Sequence, residues 1–526
     1  MRGLAWWVGL AVGGVLVGAL ASVPVRHLTE PDEARYAEVA REMIVSGDWL
    51  VPHLGGVPYP HKPPLYLWLV ALLRTVGCHW TAAAVLPVLL AFLLTLVLSI
   101  PLGRRLGLSR EECLLAVLIL ASTPFFSAFA LIARMDMLLV LSHAAALLAL
   151  ASLLSETSDA RFLRHHHLLF WVAVAVGILI KGPVALALAG LTALLWGGLE
   201  RGRGFLGRVF RGWGPLLAVA IVLAWLLPAA LASGGAYLKE VVLRQSVGRL
   251  SQSFAHRQPF FYHLVTYPFT GLPWTPVILL GLYLAARRRS DRAVRLLAGA
   301  VAVVLIFFSL VSGKIVIYLL PLFPPAALLA ARLIAQGTAR ARWVGVLAAA
   351  GLVLFGVGTA VVPHVRQELA GGAADLLLVG ALVSLVGVLA GVQVLRRSSA
   401  WPLVAMGGAL FPALALPVLT FHADSALSAY AVSAQLVQLE PEAEDVLTVD
   451  VDLFGLPLYT NRPLRALAGG EEVRGSLAAG RVVVLRCSSR RVVDAALAGL
   501  SVAEVPCRFA RPPLLILRPT PTVQGR

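Results

Sequence analysis

The residues of this chain that could do chemistry sit where apolar stretches end. The first such place reads Thr29-Glu30-Pro31-Asp32-Glu33-Ala34-Arg35-Tyr36, and Pro58-Tyr59-Pro60-His61-Lys62-Pro63-Pro64 follows it. Arg134-Met135-Asp136, Lys181-Gly182-Pro183 and Ser312-Gly313-Lys314 come later. Ionisable groups at membrane depth are costly and point to function, although at an interface the cost falls. Asp32, Glu33 and Asp136 are the candidate catalytic carboxylates, able to orient or deprotonate an acceptor. Asp32 has a second reading, because Thr29-x-x-Asp32 approximates a capping box and acids suit a first helical turn. Lys62 either snorkels to lipid headgroups or binds a phosphate as a point charge. Lys62, Arg134, Lys181 and Lys314 together form a basic set suited to an anionic leaving group or a lipid phosphate. A long polar loop adds Arg249 to that set. It also holds His256, which could pair with His61 on a metal, although stable sites want three or four ligands.

Holding these residues in place calls for a membrane bundle. The chain has 526 residues, 59% hydrophobic and 13% charged, with mean hydropathy +0.85. A soluble domain carries about 25% charged residues, whereas repeated apolar runs of about 20 residues suit a bilayer. The run from Leu4 to Val23 reads as an uncleaved first helix, and it opens a series of about 13 spans ending near Phe421. The arginine-rich ends, among them Arg104-Arg105, Arg161 with Arg164, Arg208 with Arg211, and Arg396-Arg397, all fall on one side. The turns at Asp136, Lys181 and Lys314 fall on the other. This positive-inside pattern accounts for the net charge of +17 without nucleic acid as a partner. The apolar stretch Pro64–Gly77 is too short to cross about 30 Å and reads as an interfacial helix. Residues 1–421 are thus a transmembrane domain with a first outer loop at 25–79 and a long one at 234–263.

Residues 422–526 have ordinary composition and read as a small α/β domain outside the cytoplasm. Strands are expected at 446–449, 481–485 and 514–517, with a helix at 492–500. Two of the four cysteines, Cys487 and Cys507, lie there, and that compartment permits a disulfide. The chain has no P-loop, no GxGxxG and no serine-hydrolase elbow. A reaction on the outer face therefore needs a substrate that arrives already activated, and a polyprenyl-linked sugar is one. A flippase for a lipid-linked glycan is the rival reading. It calls for ionisable groups near the midplane, whereas these sit at span ends.

Asp32-Glu33-Ala34-Arg35-Tyr36-Ala37-Glu38, Ser46-Gly47-Asp48-Trp49-Leu50-Val51-Pro52 and Lys62-Pro63-Pro64-Leu65-Tyr66-Leu67-Trp68 resemble the first periplasmic loop of the bacterial aminoarabinose transferases. Those enzymes go with the protein mannosyltransferase-like enzymes of the GT-C fold. Arg134-Met135-Asp136, Lys181-Gly182-Pro183, His256-x-x-Pro259-Phe260 and Lys314-x-x-x-Tyr318-x-x-Pro321 are similar too, in the same order. The resemblance implies an all-α polytopic membrane fold of GT-C type. It implies inverting transfer of a sugar from an undecaprenyl-phosphate donor to lipid A or a related glycolipid, at the periplasmic face of the inner membrane. A protein hydroxyl, as in O-mannosylation, is the alternative acceptor, and no cofactor is required. The resemblance further implies that Asp32 acts at the acceptor and that Lys62, Arg134 and Lys181 lie near the donor phosphate. Tyr36, Tyr59 and Tyr318 would line the substrate cavity. One departure stands out. The family often has glutamate before the lysine of Lys-Pro-Pro, and this chain has His61. In the family that glutamate can share a divalent metal, such as zinc, with the histidine matching His256.

Overall fold

The computed structural model of the chain describes residues 2–155, 159–240, 257–287, 291–337, 341–396, 401–489, 493–494, 497, 500, 502–506 and 514–519. The apolar N-terminal run is helix α1 (Arg2–Ser22). A polar loop leads to α2 (Asp32–Ser46), whose first turn carries Asp32 and Glu33, as the positive end of a helix dipole favours. Tyr36, Val39, Ala40 and Met43 recur at helical spacing and are buried. Gly47 stops the helix with φ +71°, which a side chain would resist, and its N–H bonds the Met43 carbonyl at 3.0 Å. A short hairpin follows, β1 (His53–Leu54) and β2 (Val57–Pro58). Pro64 then leads into α3 (Leu65–Thr75), which at 11 residues is too short to cross a bilayer.

The bundle continues with α4 (Trp80–Arg105), α5 (Arg110–Ala121), α6 (Pro124–Ala128), α7 (Asp136–Leu153), α8 (Ala160–Lys181), α9 (Val184–Trp196), α10 (Gly202–Phe210) and α11 (Trp213–Ala232). Helix α7 packs against both α4 and α8. A side chain at Gly177 of α8 would meet the Ser142 hydroxyl of α7 at 2.6 Å, so glycine there permits a close crossing. That crossing sets the first residue of α7, Asp136, beside the last residue of α8, Lys181.

Among the described residues, ten helices are long and apolar enough to cross a membrane. The remaining three segments of the expected thirteen are present as shorter or interrupted helices. The third is split into α5 and α6 at Pro124, which lacks the N–H that would continue a helix. The sixth is Val184–Glu200. The eighth is Thr275–Ala286, separated from the helix Tyr262–Thr270 by Gly271-Leu272-Pro273.

The C-terminal part holds a five-stranded sheet in the order β4-β3-β5-β7-β6. Its strands are β3 (Val446–Val449), β4 (Leu464–Ala466), β5 (Val483–Arg486), β6 (Val502–Pro506) and β7 (Leu514–Pro519). Three are the strands expected from sequence; β4, parallel to β3, and β6, antiparallel to β7, were not. The expected helix at 492–500 falls largely outside the described residues, and so does Cys507.

Candidate active site

Asp32 and Glu33 are adjacent but play different parts. Glu33 is 3% exposed and its carboxylate is fully engaged. It takes two bonds from the Arg26 guanidinium at 2.9 and 3.1 Å, and one each from the Thr29 N–H, the Thr29 hydroxyl and the Ala133 N–H at 2.9, 2.7 and 2.6 Å. Burial would raise its pKa, but Arg26 and these donors outweigh burial and hold it below the ordinary carboxylate range. Arg26 also donates to the Leu131 carbonyl at 2.6 Å. The pair therefore ties α2 to residues 131–133, the segment that carries Arg134. Glu33, expected as a catalytic acid, is a structural tie, because it has no lone pair directed at open space. The capping role expected of Asp32 is not filled: α2 starts after Pro31 with no side-chain cap bond. Arg26 was not singled out from the sequence. The available signal was its sign: an arginine at the outer end of a first span goes against the positive-inside pattern.

Asp32, which makes no cap bond, belongs to a chain of alternating charges. Arg134 bonds Asp32 through Nη1 and Asp136 through Nε, the latter at 3.3 Å. Asp136 in turn pairs with Lys181. The Lys181 ammonium lies 4.7 Å from the centre of the Tyr318 ring, a cation–π distance. Arg35 reaches Asp32 at 3.4 Å from the solvent side. Burial works against the charge on Arg134, but Asp136, Tyr36 and Asp32 more than offset it, so Arg134 stays cationic. Tyr36 is buried beside this chain, and burial raises its phenol well above the ordinary value, so its hydroxyl stays protonated. Lys62 acts electrostatically on Asp136. Four cations, Arg35, Arg134, Lys181 and Lys62, against the two carboxylates Asp32 and Asp136 leave the cluster net positive.

The other expected residues are distributed around this cluster. Tyr59 lies within electrostatic reach of Tyr36 and of Tyr237, and Tyr237 lines a cavity of about 320 Å³ with Asp48, His53 and Glu240. Lys314 is 4% exposed and donates to the Gln258 carbonyl at 3.0 Å, so in this state it secures the chain around residue 258 rather than joining the cluster. Arg249 and His256 lie outside the described residues. His61 is exposed, with its ring 5.1 Å from that of Tyr59. No group of three His, Cys, Asp or Glu side chains that could hold a metal is found among the described residues.

The first loop is also bound to the C-terminal part. His27 bonds Asp424 through its backbone N–H and its ring, both at 2.7 Å, and its ring stacks on Tyr430 at 3.5 Å. The Leu28 N–H donates to the Tyr459 hydroxyl at 2.7 Å, and the Gly455 N–H donates to Glu30 at 2.6 Å. Burial pushes the Glu30 carboxyl up to about 7, although the Gly455 and Phe454 N–H groups pull it back. Between the unperturbed value of 4.5 and about 7, the folded protein binds more protons than the unfolded chain. Stability is therefore expected to fall as pH rises through that window and to level off above it. Melting the full chain in detergent from pH 5 to pH 8 tests this. Glu30→Gln should reduce the slope, with the rest left to Glu38, which burial also pushes up to about 7, and parallel slopes in both proteins would remove Glu30 as a source.

Known proteins share both sequence and fold with this chain. Residues 15–233 match the sequence profile of the dolichyl-phosphate-mannose-protein mannosyltransferases. The undecaprenyl phosphate-alpha-4-amino-4-deoxy-L-arabinose arabinosyl transferase of Edwardsiella ictaluri is 31% identical over 336 residues, 63% of this chain and 60% of that protein. The protein of the same name from Pectobacterium carotovorum is 29% identical over 424 residues, 76% of this chain and 74% of that one. Against the first of these, then, the match spans only about three fifths of the relative's length. The crystal structure of ArnT from Cupriavidus metallidurans bound to undecaprenyl phosphate superposes with a TM-score of 0.81 at 21% identity, covering 99% of both chains. The resemblance read from the first loop is borne out, and the chain is a multi-pass membrane protein with the GT-C fold of the aminoarabinose transferases.

Proposed function

We propose that this relative of the aminoarabinose transferases is itself a glycosyltransferase, moving a sugar from a polyprenyl-phosphate donor to lipid A or a related glycolipid. It would act at the periplasmic face of the bacterial inner membrane. The observation that carries the reading is the continuous line Asp32–Arg134–Asp136–Lys181, which sets the Asp32 carboxylate at one end and the Lys181 ammonium at the other, with Arg134 and Asp136 between them. A phosphodiester donor is anionic, and the net positive charge of the cluster attracts it. When the bond from the anomeric carbon to the phosphate oxygen breaks, the departing polyprenyl phosphate gains a second charge. Lys62, Arg134 and Lys181 then interact more strongly with the leaving group than with the donor, and this difference lowers the barrier. The acceptor oxygen attacks the anomeric carbon from the opposite face, which inverts it. If the acceptor is a hydroxyl, its proton passes to Asp32. If it is a phosphate it is already anionic, and Asp32 only orients it.

The step runs through the protein's own cations. His61 and His256 are two imidazoles, short of the three or four ligands of a stable zinc site. A second reading, with a protein hydroxyl as acceptor, draws on the mannosyltransferase profile over residues 15–233. Mass spectrometry of lipid A and of periplasmic proteins from a strain lacking the gene separates the two acceptors. The site is tested by consumption of polyprenyl-phosphate sugar in membranes bearing Asp32→Asn or Lys62→Ala. Loss of about tenfold or more is expected for Lys62→Ala, as for other charged hydrogen-bond partners. Full activity in both variants would remove the assignment of the site, and no consumption by the unaltered chain would remove the function.

A further inference from the structure

At the end of α8 away from Lys181, the structure holds a groove that the proposed reaction does not use. Arg164, on its rim, lies 17 residues before Lys181 on α8, about 26 Å at 1.5 Å per residue, so the groove belongs to the opposite membrane face. It is a cavity of about 570 Å³ between the start of α8, the end of α7 and the turn from α10 to α11. Leu153, Leu163, Leu168 and Trp213 give it apolar walls, and Arg164 and Arg208 stand on its rim. Both arginines are exposed and neither has an ion-pair partner among the described residues. Trp213 is 77% exposed on the protein surface at the end of a membrane span, where an indole reaches the lipid interface.

The groove is preformed. His167 of α8 is buried, with its Nδ1–H donating to the Arg208 carbonyl at 2.9 Å and its Nε2 accepting from the Gly214 N–H at 2.9 Å. Trp171, one turn on, donates to the Val209 carbonyl at 2.8 Å. These three bonds fix the chain from 208 to 214 onto α8, so that Arg208 and Arg164 meet the same cavity. Gly212, at φ +103°, makes the turn between α10 and α11.

We propose that this groove binds an anionic phospholipid, with the headgroup phosphate between Arg164 and Arg208 and one acyl chain along the leucines and Trp213. Charge complementarity selects the occupant. A zwitterionic lipid would bring its own cation to a rim that already carries two. A free phosphate would meet only the arginine rim and make no use of the apolar walls. The inference does not depend on the proposed reaction, since none of its residues touches the Asp32–Lys181 cluster.

Fluorescence quenching tests it on the full chain in phosphatidylcholine nanodiscs containing acyl-brominated phosphatidylglycerol or acyl-brominated phosphatidylcholine. The signal is the quenching present in the unaltered chain and absent from Trp213→Phe. Each arginine near an anionic headgroup is worth about fivefold in binding. Brominated phosphatidylglycerol is therefore expected to quench at a lipid fraction roughly twenty-fivefold lower than brominated phosphatidylcholine. The double variant R164Q/R208Q should erase that preference, and R164K/R208K should keep it, with unchanged melting temperatures. Equal quenching by the two lipids, or an undiminished preference in R164Q/R208Q, would overturn the proposal. Loss of the preference on adding millimolar inorganic phosphate would overturn it too, by pointing to a free-anion site.

Discussion

Replacing Glu33 by alanine is expected to destabilise the chain by about 3–5 kcal/mol, the usual cost of leaving one buried charge without its partner. Arg26 is 5% exposed and would keep its charge with only the Leu131 carbonyl for company. The Thr29 and Ala133 N–H groups would lose their acceptor as well. Glu33→Gln should cost less, since its side-chain oxygen can still accept two of these bonds. The double variant R26L/E33L separates charge from packing. Removing both partners of a buried pair is often close to neutral, so the double variant should be more stable than Glu33→Ala alone. Thermal unfolding in detergent reads all three. A mild Glu33→Ala, or a double variant at least as unstable, would show that the pair is not what secures the first loop. Activity should fall with the fold in Glu33→Ala, because the same carboxylate holds Ala133 and hence the place of Arg134.

The second large effect belongs to Lys181. Losing one group that stabilises developing charge lowers kcat by about 10²–10³, and Lys181→Ala should fall in that range. The same change strands Asp136, which is 3% exposed and would keep only Arg134 at 3.3 Å as a charged bonding partner. Some of the loss could then be structural. The double variant K181A/D136N resolves this, since it removes the stranded carboxylate and returns the cluster to its original net charge, and with it the fold, but does not restore a cation for the leaving group. The melting temperature should recover while turnover stays low. Recovery of turnover would mean that Lys181 serves only to neutralise Asp136.

The sequence made the site partly legible because charge stands out in a chain that is 13% charged. Alternating span ends placed Asp136 and Lys181 on the same face, and the structure joins them directly. Other features were beyond reach for local reasons. Adjacent residues on a helix point about 100° apart, so the run Asp32-Glu33 does not say which acid turns inward. Packing against residues 131–133 decides it, and Glu33 is the one buried. Lys314 looks the same in sequence as Lys181, yet it meets a backbone carbonyl contributed by a distant loop. The shortened third and eighth segments were readable in principle, from Pro124 and from Gly271-Leu272-Pro273. Hydropathy averaged over about 20 residues hides such interruptions. Strands β4 and β6 were missed because neither has the apolar alternation that marks a half-buried strand.

The central claim, that the cations beside Asp136 and Asp32 hold the donor's phosphate, is tested most directly by the affinity of the full chain for undecaprenyl phosphate, the leaving group itself. Titration of the unaltered chain should show saturable binding. K181A/D136N, folded to the same melting temperature, should bind about ten- to a hundredfold more weakly, the value of one charged hydrogen bond. Unchanged affinity in that folded variant would contradict the claim and move the phosphate away from Lys181.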